Sequence, residues 1–143
     1  MSGFAIGAVS RSKLDGVHPK LVDVVERAIA ISVVDFVVIE GIRSIGKQAE
    51  LYTKGVSKTL KSKHLKQGDG YGHAVDLVPY VNGKIDWQNL EGFREIKKAM
   101  FEAASQVGVE LRWGNDWNRN GVEVEADPRE SFADWPHFEL WRA

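Results

Sequence analysis

The stretch SKHLKQGDGYGHAVDLVPY, running from Ser62 to Tyr80, decides how this chain is read. Gly68, Gly70 and Gly72 lie among lysines and polar residues, so the loop expected over 55–72 should be long and exposed, and loops of that length are often functional. Ala74 to Tyr80 then reads as a strand. Side chains alternate along a strand, so Ala74 and Asp76 share one face and His73 and Val75 the other. Asp76 sits inside Ala-Val-Asp-Leu-Val, where an unpaired charge would be expensive to bury. It therefore needs a partner. A second segment, DWPHFELW from Asp134 to Trp141, brings another histidine. His64, Asp76 and His137 together offer two imidazoles and a carboxylate, the donor set of a catalytic zinc that keeps a fourth position open. If Asp76 is a ligand, His73 is on the wrong face to be one.

Working outward, Val17-His18-Pro19 opens a helix whose apolar positions Leu21, Val24, Val25, Ala28 and Ile29 recur at helical spacing. His18 reads as part of that helix start. Asp35 to Glu40 is short and β-branched, as a buried strand would be. Ile45 to Tyr52 predicts a short second helix, and Gln88 to Val107 the longest amphipathic one, ended by Gly108. Val109 to Trp113 and His137 to Trp141 complete the strands. Helices interspersed with strands joined partly by hairpins predict an α+β fold, a small mainly antiparallel sheet with packed helices and the zinc site at the sheet.

The 143 residues are enough for one domain with a real core, and residues 1–143 read as a single catalytic unit with no second module. A net charge of -1 provides no basic footprint for nucleic acid. The absence of cysteine removes disulfides and thiolate metal sites together. Phe4 to Val9 is too short for a signal-peptide core, and nothing later approaches a membrane span, so synthesis in the cytoplasm is expected.

Asp116, Asn118, Asn120 and Asp127, with Gly121 between them, follow calcium-loop spacing in part. Asp127 stands where the longer bidentate Glu would be, so any calcium affinity should be weak. The competing reading is a tight hairpin turn at Asn120-Gly121. The two are compatible.

The motifs as a set resemble the zinc peptidases of the D-alanyl-D-alanine carboxypeptidase superfamily, most closely the bacteriophage L-alanyl-D-glutamate endopeptidases, which are endolysins. The resemblance rests on Ser62-Lys63-His64, Gly72-His73-Ala74-Val75-Asp76 and Asp134-Trp135-Pro136-His137. Gly16-Val17-His18-Pro19, Gly41-Ile42-Arg43-Ser44, Gln48 and Trp113-Gly114-Asn115-Asp116-Trp117 add to it. The segment between His64 and Gly72 is longer than the compact family form.

That resemblance implies zinc at His64, Asp76 and His137 and a catalytic carboxylate at Asp134, which would move a proton from water to the leaving amine. It also implies that Arg43 steadies either the developing oxyanion or a substrate carboxylate. Ser62 would support a ligand or substrate by hydrogen bonding. Related phage enzymes carrying a calcium loop add weight to that second site. The implied activity is hydrolysis of peptidoglycan stem peptides between L-alanine and D-glutamate during phage lysis. The protein would act as a monomer, without membrane insertion, and be released to the wall by a holin-like partner. The alternatives are a D-alanyl-D-alanine carboxypeptidase and a noncatalytic zinc-containing cell-wall-binding domain.

Overall fold

A computed structural model describes residues 3–55 and 61–141. Helices α1 (Ala8–Lys13), α2 (Pro19–Ile31), α3 (Ile45–Thr53) and α4 (Leu90–Val107) are interleaved with strands β1 (Phe36–Glu40), β2 (Ala74–Val81), β3 (Lys84–Ile85), β4 (Leu111–Trp113) and β5 (His137–Leu140). The sheet runs β1-β2-β5-β4, with β3 paired to β2, and every pairing of named strands is antiparallel. The fold is α+β, as the sequence pattern predicts.

One core joins the helices to the sheet. Leu21, Val24, Val25, Ala28 and Ile29 of α2 are buried against it, and so are Ile96, Met100 and Ala103 of α4. Burying a Leu, Val or Ile side chain contributes about 1.5–3 kcal/mol, so these stripes hold both helices on the sheet. Pro19 opens α2, and the His18 ring accepts a hydrogen bond from the Lys20 amide as its cap. Asn89 caps α4 at the Gly92 amide, and Gly108 ends it in the left-handed region at φ 89.

Strand alternation sends Val75, Leu77, Phe138 and Leu140 into this core. The residues between them form the opposite face. There Asp76 lies across from His137, and on its other side from Glu40. The β1–β2 register slips by one residue between Val38 and Glu40, a bulge that puts Glu40 rather than Ile39 opposite Asp76.

Four details depart from the pattern-based reading. Helix α1 has six residues, too few for an amphipathic repeat to announce, and its N-cap Gly7 supplies no side-chain bond. The tight hairpin turn lies at Asn82-Gly83, where both residues take positive φ between β2 and β3. The second Asn-Gly pair, Asn120-Gly121, makes no such hairpin: positive φ falls on Arg119 and Gly121, and no strand flanks them. The loop expected over 55–72 is described from 61 onward, residues 56–60 lying outside the described residues. It is less exposed than expected, because His64 and Gly72 are buried within it. Backbone bonds pin it to its surroundings: Arg43 N–H to the His64 carbonyl, Gly72 N–H to Gly16, and His73 N–H to Lys63.

Candidate active site

His64, Asp76 and His137 converge from the loop, β2 and β5. His64 Nε2 is 3.1 Å from Asp76 Oδ1, His137 Nδ1 is 3.4 Å from the same oxygen, and the two nitrogens are 3.2 Å apart. Tetrahedral zinc with ligand bonds near 2.0–2.1 Å separates its donors by about 3.3 Å. The triangle already has that size.

The outer ring nitrogens make the fit chemical as well as metric. His64 Nδ1 lies 2.7 Å from the Gly41 carbonyl oxygen, which can only accept, so it carries the ring proton and Nε2 is left bare. His137 Nε2 lies 2.7 Å from Glu139 Oε1 and donates to it, so Nδ1, turned to the centre, is the nitrogen that becomes bare once the ring is neutral. Arg112 in turn holds Glu139 through Nε and Nη2, at 3.1 and 2.7 Å. Such partners fix tautomer and orientation around a metal. The pattern reading missed Glu139 and Arg112. Glu139 was within reach of it, being two residues after His137 and so on the same face of a strand.

Electrostatics follow the same layout. Burial alone would raise the Asp76 carboxyl, but His137 and His64 outweigh it and hold it well below the usual range. Burial works against a charged His137, yet Asp76 and Glu139 prevail and lift its pKa to about 9 without metal. Glu139 is lowered in spite of burial, by His137 and Arg112. Asp134 goes the other way: burial raises it, and the charge of Asp76 adds to the effect.

Asp134 precedes β5, with its N–H bonded to the Gly114 carbonyl and its own carbonyl accepting from His137 N–H at 3.2 Å. Gly114 N–H also bonds to the His137 carbonyl. A side chain at 114 would overlap the Asp134 carbonyl oxygen and come within 2.9 Å of His137 Cβ. Only glycine lets these strands of backbone meet.

Arg43 lines the same cavity, of about 500 Å³, as His64, Asp76, Asp134 and His137. Its Nη2 is paired with Glu40 and its Nη1 donates to Gln48 at 2.6 Å, so the guanidinium is held in place. Nε is buried and has no partner among the described residues. Ser62 Oγ accepts the His64 N–H at 3.1 Å, so it shapes the backbone that carries His64.

The four candidate calcium ligands also converge. Asp127 accepts the side-chain amides of Asn118 and Asn120 at 2.9 and 2.7 Å, and Asp116 accepts the N–H groups of Asn120 and Gly121. Those amides, Asn118 first and the Arg129 N–H next, keep the Asp127 carboxyl well below its usual range. The Asn118 and Asn120 oxygens accept backbone N–H groups. The loop thus satisfies itself.

His73 faces away from Asp76, as alternation requires, and joins a second cluster with Asp69 and His18.

The profile of the family described as phage L-alanyl-D-glutamate peptidase matches residues 1–141. This chain belongs to that family. The L-alanyl-D-glutamate peptidase of Escherichia phage T5 is 39% identical over 140 residues, covering 96% of this chain and 98% of that protein. The peptidoglycan L-alanyl-D-glutamate endopeptidase CwlK of Bacillus subtilis (strain 168) is 31% identical over 127 residues, 82% of this chain and 68% of its own length. Among solved structures, the L-Ala D-Glu endopeptidase ChiX of Serratia marcescens superposes with a TM-score of 0.77 at 35% identity, over 96% of this chain and 90% of that one. This family member contains no helix, among its described residues, long and apolar enough to cross a membrane.

Proposed function

We propose that this chain is a zinc-dependent endolysin that hydrolyses the L-alanyl-D-glutamate bond of peptidoglycan stem peptides. The observation that carries the zinc assignment is the triangle of donor atoms at His64, Asp76 and His137, each imidazole held by an acceptor behind it. Bound there, zinc would bring the pKa of a water ligand to about 7 and polarise the scissile carbonyl.

The chain's own groups do the rest. Asp134 borders the cavity with a carboxyl whose proton affinity is raised, suited to take a proton from the attacking water and give it to the departing glutamate amine. Arg43, immobilised by Glu40 and Gln48, presents a permanent cation to the developing oxyanion. Glu139 and Gly41 keep the two histidines in the tautomers the metal requires.

A second recess, of about 340 Å³, adjoins the first at Asp76 and Asp134. Room on both sides of the base suits a chain that continues in both directions, which supports an endopeptidase over a D-alanyl-D-alanine carboxypeptidase. Synthesis in the host cytoplasm, release by a holin-like partner and action as a monomer complete this reading. Calcium at Asp116, Asn118, Asn120 and Asp127 is its lesser part, because both asparagine amides would have to turn over before their oxygens joined Asp127. Mass analysis of fragments from purified peptidoglycan tests the activity. New N-terminal D-glutamate is expected, and released D-alanine would instead point to the carboxypeptidase.

A further inference from the structure

The two recesses that meet at Asp76 and Asp134 differ in the cations that line them. Trp87, Leu90, Phe93, Trp135 and Pro136 give the smaller one an apolar, aromatic wall. The larger one adds Arg43, Lys61, Lys63 and Arg112, beside the apolar Leu51, Trp117 and Phe132 and the acidic Glu139. The L-alanyl-D-glutamate unit is polarised in the same way, a methyl side chain before the scissile bond and an acid after it. A glutamate linked onward through one carboxyl keeps the other as a free anion.

A planar donor fork suits a carboxylate, and of the two arginines Arg112 is the better placed to read that anion. Arg43 has both terminal nitrogens occupied, by Gln48 and Glu40. Arg112 uses Nε and Nη2 on Glu139, while its guanidinium packs 4.9 Å from the Trp141 ring and 5.3 Å from the Trp117 ring. It is therefore held rigidly, and Nη1 makes no hydrogen bond to any described residue. A fixed cation with an uncommitted N–H pair beside the reacting centre is suited to grip a carboxylate.

We propose that Arg112 is a specificity-determining residue whose Nη1 binds the free carboxylate of the substrate glutamate, with the alanine side lying in the apolar recess. This rests on the peptidase reading above. Arg43 is left to the oxyanion.

The test uses two synthetic stem peptides that differ only at that position, free carboxylate against its amide, and the zinc-loaded protein. A charge-assisted hydrogen bond of this kind corresponds to a preference in kcat/KM of about 10- to 100-fold for the acid. Arg112→Gln should bring the ratio close to one, whereas Arg43→Gln should slow both peptides and keep the ratio. Arg112 also supports Glu139, and a loss through that structural role would be common to both peptides and cancel in the ratio. If Arg112→Gln turns over too slowly, calorimetric binding of the two peptides supplies the same comparison. Equal cleavage of acid and amide by the wild type, or an unchanged ratio in Arg112→Gln, overturns the proposal. Failure of the wild type to cleave either peptide would instead remove the peptidase reading on which it stands.

Discussion

Two clusters of two histidines and one aspartate lie in this protein, His64–Asp76–His137 and His18–Asp69–His73, and in each the donor atoms fall within 4.8 Å of one another. What separates them is the far side of the rings. Behind the first cluster stand acceptors, the Gly41 carbonyl and Glu139, which hold a proton on the outer nitrogen of each ring and turn the other nitrogen to the centre. Behind His18 stands a donor, the Lys20 N–H, bonded to Nδ1 at 3.1 Å. The neutral ring must then carry its proton on Nε2, the nitrogen 3.7 Å from Asp69. His73 already has Asp69 at 2.7 Å. The second cluster is a clip between the loop and the start of α2, satisfied without an ion. Residue types alone do not make a metal site; the groups behind the ligands decide.

The largest effect should come from breaking the first cluster. His64→Ala or His137→Ala should lower bound zinc from one per chain to none, with activity falling to background, while His18→Ala and His73→Ala keep their zinc. Elemental analysis of gel-filtered protein reads this directly. Equal zinc loss from both pairs of variants would erase the distinction.

Asp134→Ala should retain zinc and lose about 100- to 10,000-fold in kcat, because the donors remain while the proton carrier is gone. Near-normal turnover at full zinc occupancy would sink its assigned role.

The importance of the outer partners is sharpened by Glu139→Gln, which keeps shape but removes the anion behind His137. Zinc affinity should weaken about 10- to 100-fold, measured by competition with a chelator. Unchanged affinity would mean that the outer partner does not matter.

A finer effect concerns protons. Without metal, the raised His137 pKa lets its ion pair with Asp76 and Glu139 stabilise the fold fully below pH 6.5, and that contribution is lost as pH rises through about 9. Zinc must displace the same proton. Between those pH values each zinc should release about one proton, and affinity should climb with pH and level off above about 9. Calorimetry in buffers of different ionisation enthalpy counts it, and zero protons released would contradict the layout.

The smallest effect belongs to the clip. Asp69→Ala should lower stability only slightly, read as a small drop in the denaturant midpoint, with zinc content unchanged. Loss of zinc on this substitution would show the two clusters to be coupled.

How much of this was legible beforehand differs between the clusters for the same physical reason. Asp76 and His137 could be read from strand alternation, since a charge inside an apolar strand requires a partner and period two fixes its face. Glu139 obeys that rule too, two residues beyond His137. Arg43 was legible as a site residue, but not its restraint by Glu40, which depends on a one-residue slip in register that no local pattern encodes. The His18–Asp69–His73 clip depends on a loop folding back onto a helix start from fifty residues away in sequence order, roughly, and short-range periodicity carries no information about that closure. The two Asn-Gly pairs make the point in miniature. The dipeptide permits positive φ at both sites, but only at Asn82-Gly83 do flanking strands turn it into a hairpin.

The contact at Gly114 has a consequence for how such an enzyme can change. Residues 115–133 leave from Gly114 and return at Asp134, and the two ends are tied by one backbone hydrogen bond. Trp117 and Phe132, which line the larger recess, belong to this excursion with the proposed calcium residues, whereas the residues assigned to zinc and proton transfer lie outside it. Lengthening a closed loop is cheap, with each doubling costing only about 0.6 kcal/mol. The excursion can therefore vary in length and lining at little cost, provided that Trp117 keeps its place 5.2 Å from the His137 ring.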